Sequence, residues 1–93
     1  MSNRLIITYD ISNDKLRTAF SKYLGKFGNR LQYSVFEIKN SERILDNIKT
    51  KITAYFEKKF KQSDSIIIFH LSIQCEKICF GYAKNAESDL LII

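Results

Sequence analysis

Two stretches constrain the fold of this chain more than any others: Leu5-Ile6-Ile7-Thr8-Tyr9 near its start and Ile66-Ile67-Ile68-Phe69-His70-Leu71 beyond its middle. Both are almost unbroken runs of apolar, β-branched or aromatic side chains. A strand with only one covered face alternates with polar residues; these do not, and they read as central strands with neighbours on both sides. Between them the apolar residues change period. Leu16, Ala19, Phe20, Tyr23, Leu24 and Phe27 recur in steps of three and four, as do Ile44, Leu45, Ile48, Ile52, Tyr55, Phe56 and Phe60. Each set makes one buried stripe on a helix. Ser12 or Asn13 is placed to cap the first helix and Asn40 or Ser41 the second, with Gly28 read as the stop of the first.

Between the helices, Leu31, Tyr33 and Val35 alternate with Gln32, Ser34 and Phe36, which is a strand pattern. The phase breaks at Val35-Phe36, where a bend or bulge can divide the run into two short strands. Lys77–Tyr82 reads as a further short strand. The closing run Leu90, Leu91, Ile92 and Ile93 is expected to pair as an edge strand, on its own sheet or on that of a second chain. The expected order is strand, helix, one or two strands, helix, strand, then extra C-terminal strands. That order predicts an α+β, ferredoxin-like two-layer sandwich, with two helices on one face of a mostly antiparallel sheet. We expect one domain over residues 1–93, since 93 residues without a proline offer no linker. The other sheet face then needs a cover, and a second copy packed sheet to sheet would supply it.

The charge is unevenly placed. Between Lys15 and Lys61 there are twelve Lys and Arg against four Asp and Glu, a local charge of +8, whereas the rest sums to −3. The positive charge therefore belongs to the helices and the segment joining them. It favours a polyanion bound mainly through phosphates, with strong salt dependence, although solvated helix faces account for the same lysines. An aromatic signature for reading RNA bases is missing. No apolar run is long enough to span a membrane, and the start lacks the apolar core of a secretory signal, so a cytoplasmic protein is expected. Cys75 and Cys79, with His70 as the sole histidine, are too few for a structural zinc site. The cysteines are read as small hydrophobes and His70 as a packed, hydrogen-bonded core residue.

Catalytic sets built on a His/Cys pair, a phosphate-cradling glycine loop or His-Glu-x-x-His are missing. Asp10 stands where the first strand meets the first helix. It is either a strand-end residue or an anionic ligand. A lone carboxylate is a weak magnesium site, but two copies brought together by a two-fold dimer would make up the deficit and could activate water for phosphodiester cleavage.

Tyr9-Asp10-Ile11-Ser12, then Asp14, Leu16 and Arg17, then Gly28-Asn29-Arg30-Leu31-Gln32-Tyr33-Ser34-Val35-Phe36-Glu37 together resemble the small CRISPR-associated Cas2 family. The resemblance implies a ferredoxin-like homodimer acting as a scaffold in spacer acquisition. It would hold duplex DNA on basic surfaces and bridge subunits of the CRISPR integrase Cas1. It also implies an alternative, a magnesium-dependent endonuclease acting on RNA or DNA, with the metal on Asp10 of each chain at the dimer interface. Tyr9, Arg17, Arg30 and Phe36 match positions tied to the site or to nucleic-acid contact, and Lys15 is placed with them as a nucleic-acid-binding residue. A toxin-like ribonuclease of the same fold is the nearest competitor. The chain departs from typical members in its long second helix and in lacking a Pro/Gly-rich turn after Leu71. The tail Leu90–Ile93 would be an exchanged strand or an integrase contact.

Overall fold

The computed structural model describes residues 3–39, 42–71 and 75–82. The elements run β1 (Arg4–Asp10), α1 (Asp14–Gly25), β2 (Gly28–Gln32), β3 (Val35–Lys39), α2 (Glu42–Lys51), β4 (Ser65–Leu71) and β5 (Glu76–Gly81). After Lys51 the second helix continues as a π-helical turn over Ile52–Phe56 and a 3-10 turn over Glu57–Lys59. The strand order is β2-β3-β1-β4-β5, with every neighbouring pair antiparallel. Both unbroken apolar runs, β1 and β4, lie inside the sheet, as their composition requires. This is the expected ferredoxin-like α+β arrangement, with β5 added beyond β4. The proposed edge strand Leu90–Ile93 and the proposed caps Asn40 and Ser41 lie outside the described residues.

The register sorts the sheet into two faces. Tyr9 stands opposite Ile66, Ile7 opposite both Phe36 and Ile68, and Leu5 opposite both Ile38 and His70. All of these except the half-buried His70 are buried, and they meet the helix stripes: Leu16, Phe20 and Leu24 from α1, and Ile48, Ile52 and Phe56 from the second helix. Phe20 sits at the centre of this layer, edge-on to Tyr9 at 5.1 Å and to Phe56 at 4.9 Å. The alternate residues form the other face, where Ile6 lies beside Phe69 and Thr8 lies between Val35 and Ile67. These side chains are only half-buried, because no element among the described residues covers them.

Three local readings change, and the expected division into two short strands is met by more than a bend. Helix α1 stops at Gly25, and Gly28 instead opens β2, where a Cβ would stand 2.2 Å from the carbonyl oxygen of Glu37. The bend expected near Val35 is a full hairpin turn at Tyr33-Ser34, with a register shift between Arg30 and Gln32. Tyr55, read as part of the core stripe, is 41% exposed. Cys75 is exposed with φ at 48° and so is not packed as a small hydrophobe, whereas Cys79 is half-buried beside Ile67 on the open face. His70 stays hydrogen-bonded: its Nε2 donates to Asn3 Oδ1 at 2.7 Å.

Candidate nucleic-acid interface

The end of β1 sends its last two side chains to opposite faces of the sheet. Tyr9 turns into the helix layer, stacked 6.3 Å from Phe36 at 29°. Burial pushes its phenol up, while Arg30, a hydrogen bond with Ser21 and Arg17 pull the other way without cancelling it. Above it opens a shallow cleft of about 120 Å³ lined by Tyr9, Arg17, Thr18, Ser21, Arg30 and Tyr33. Each cation is positioned by the fold. Arg17 comes from the first turns of α1, a helix started by Asn13, whose Oδ1 accepts the Leu16 N–H at 2.8 Å. Its guanidinium donates to the Ile11 carbonyl at 3.0 Å and pairs with Asp14. It lies 5.9 Å from the ring centre of Tyr33. Arg30, from β2, lies 5.4 Å over the ring of Phe36, its cross-strand neighbour. Two guanidinium groups held against aromatic faces set planar cationic surfaces at the mouth of the cleft, with Arg17 already giving two of its donors to Ile11 and Asp14.

Asp10 is not in this cleft. It is exposed, opposite Ser65, on the open face shared by Ile6 and Thr8. Lys15 is also elsewhere, on the side of α1 that meets Tyr55, Lys59 and Lys61. Of the expected nucleic-acid residues the structure thus brings together Tyr9, Arg17, Arg30 and Phe36 and sets Lys15 apart, and it separates the expected metal ligand Asp10 from them as well. It adds Tyr33, which is 68% exposed at the hairpin turn. Nothing local marks it in the sequence, since the turn that exposes it lacks an Asn-Gly signal.

A second carboxylate near the end of β1 behaves differently. Asp64 is only 1% exposed, and its carboxylate joins two loops. Its Oδ1 accepts from the backbone N–H and hydroxyl of Ser12, both at 3.0 Å, and its Oδ2 accepts from the Lys61 N–H at 2.9 Å. Burial pushes the carboxyl up, but these hydrogen bonds outweigh it and hold the group below its ordinary value. With its oxygens so engaged, Asp64 is a structural tie rather than an open ligand. Among the described residues no group of three or more His, Cys, Asp and Glu could hold a metal ion. One chain therefore presents Asp10 as a single open carboxylate, which does not by itself fit a resident magnesium ion.

The family model described as CRISPR associated protein Cas2 matches residues 3–78. The chain belongs to the Cas2 family. Its relatives include a CRISPR-associated endoribonuclease Cas2 of Rhodospirillum rubrum, 34% identical over 74 residues, which covers 80% of this chain but only 57% of the relative. A Thermus thermophilus protein of the same description is 34% identical over 67 residues, with 72% of this chain and 68% of the relative covered. One from Methanospirillum hungatei is 33% identical over 73 residues, with 78% of each chain covered. The Cas2 match spans β1 to the start of β5, and so includes the Arg17–Arg30 cleft and Asp10 alike. No helix among the described residues is long and apolar enough to cross a membrane.

Proposed function

We propose that this protein is the DNA-holding scaffold of CRISPR adaptation: a cytoplasmic homodimer that binds duplex DNA on basic surfaces and bridges integrase subunits. The observation that carries the reading is the contrast between the two layers. One sheet face shows half-buried Ile6, Ile67 and Phe69 with no element among the described residues over them, while the helix layer on the opposite side carries the Arg17–Arg30 cleft and most of the lysines. Pairing two copies through the apolar faces leaves both cationic layers outward, where a duplex can lie along them. The guanidinium groups then hold phosphates, and sequence plays little part. Because Asp10 is outside the cleft, scaffolding does not depend on it. The Asp10→Ala variant should dimerise, bind duplex DNA and co-purify with the integrase as the wild type does, with spacer acquisition retained in cells. Loss of acquisition by a folded, integrase-bound variant would overturn the scaffold reading.

The relatives' endoribonuclease names, and the position of Asp10 on the face that pairing would cover, favour a second reading. In it, two copies of Asp10 meet across the dimer and together hold magnesium for phosphodiester cleavage of RNA or DNA. It predicts that cleavage by purified protein requires magnesium, stops with chelator and is lost in Asp10→Ala.

A further inference from the structure

A second cationic cleft lies on the far side of α1. It has a volume of about 280 Å³, and Lys15, Tyr55, Lys59 and Lys61 line it with Asn13 and Leu16. Tyr55 organises it. The ammonium groups of Lys51 and Lys59 lie 4.8 and 5.0 Å from its ring centre. The ring is exposed because the helix changes pitch here. Ile48, Ile52 and Phe56 are buried in successive four-residue steps, which a regular α-helix would let drift by about 40° each. The π-helical turn over Ile52–Phe56 takes up that drift, holding Ile52 and Phe56 on the core and Tyr55 outside it. No carboxylate is among the described residues that line the cleft, and Asn13 already uses its side-chain oxygen to cap α1.

The cleft is also continuous with the first one. A shallow depression along α1 shares Lys15 and Ala19 with it, adds Lys22, and shares Thr18 with the Arg17–Arg30 cleft. The acid on this path, Asp14, is paired with Arg17. We propose that the Tyr55 cleft is a second site for the phosphodiester backbone of a nucleic acid, taking phosphates through Lys15, Lys59 and Lys61 from a strand that crosses α1 toward Arg17 and Arg30. The assignment rests on the nucleic-acid reading above. Compact ammonium groups on flexible stems suit single phosphate oxygens, and a track with cations at both ends suits a polymer charged at regular intervals better than a short acidic peptide.

The test is fluorescence anisotropy of the full chain with a labelled DNA duplex over a range of salt concentrations. The Lys59→Ala/Lys61→Ala double variant removes only exposed side chains and should fold normally by circular dichroism. It is expected to bind about tenfold or more weakly at low salt, with the slope of log K against log salt reduced by about 2. The charge-matched Lys39→Ala/Lys49→Ala variant, outside the track, should keep a steeper slope than the cleft variant. Equal slopes for the two double variants would overturn the second site while leaving duplex binding standing. A wild-type protein that ignores the duplex would overturn both readings. Binding of poly-glutamate instead, through the same lysines, would assign the cleft to an acidic peptide and overturn it as well.

Discussion

Asp64 shows how one side chain can decide local architecture without announcing itself. In the sequence it is only a polar residue two positions before an apolar run. In the structure it ties the segment entering α1 to the segment entering β4, because Ser12 and Lys61 are both its donors. Nothing local marks that role: the partners are 52 and 3 residues away. The consequences are measurable. Asp64→Asn keeps one acceptor but turns an amide N–H₂ toward a backbone donor, so it should cost about 1–3 kcal/mol in urea unfolding. The pH dependence follows from the sign of the shift. The folded carboxyl titrates below its ordinary value of 3.8. Its stabilisation is therefore fully present above that value and is lost as pH falls through the depressed one. Wild-type stability should drop across that acid range, and Asp64→Asn should flatten its part of the drop. An equal slope in both proteins would show that other carboxyls carry it.

At the scale of elements, what was legible followed from period. Unbroken apolar runs gave β1 and β4, three-and-four spacing gave both helices, and the resulting order gave the topology. What was not legible depended on backbone detail. The hairpin between β2 and β3 turns at Tyr33-Ser34 with neither residue at positive φ, so it lacks the Asn-Gly signal of a tight mirror-image turn; the register shift at Arg30/Gln32 accommodates the mismatch. For the same reason Tyr33 was counted as a strand residue and not as part of a site. The π-helical turn was hidden because a four-residue step is compatible with a slowly drifting α-helix. Gly81 is a third such detail. It has φ of +70°, and an added Cβ would lie 2.3 Å from the Asp64 carbonyl and 2.8 Å from the Phe60 ring. The strand end needs that close approach, since the same carbonyl accepts the Tyr82 N–H at 2.8 Å and the Gly81 N–H donates to Glu57 at 3.1 Å. Gly81→Ala should therefore destabilise by about 1–3 kcal/mol, seen as a lower urea midpoint, while DNA binding at the remote Arg17–Arg30 cleft stays unchanged at temperatures where the variant is folded.

For the molecule as a whole, the decisive asymmetry is between a face that no described element covers and a face that carries charge. A chain of this length buries a modest core, so half-buried Ile6, Val35, Ile67 and Phe69 on one surface are an appreciable fraction of its apolar area. If two copies join there, the charge problem is solved by the same geometry, because the cationic layers end up on opposite outer sides and repel each other least. The substitution that separates these effects is Phe69→Lys. It adds charge at the centre of the open face, in the row shared by Ile6 and Lys77, without touching the buried set that meets the helices. The expected outcome is a folded monomer by light scattering. Its salt slope for duplex binding should match that of the dimer, because a duplex lying on one outer layer meets the same cations in either state. A variant that stays dimeric would place the contact elsewhere on the molecule. A monomer with a clearly diminished slope would mean that the duplex spans both cationic layers, and that pairing builds the DNA site itself.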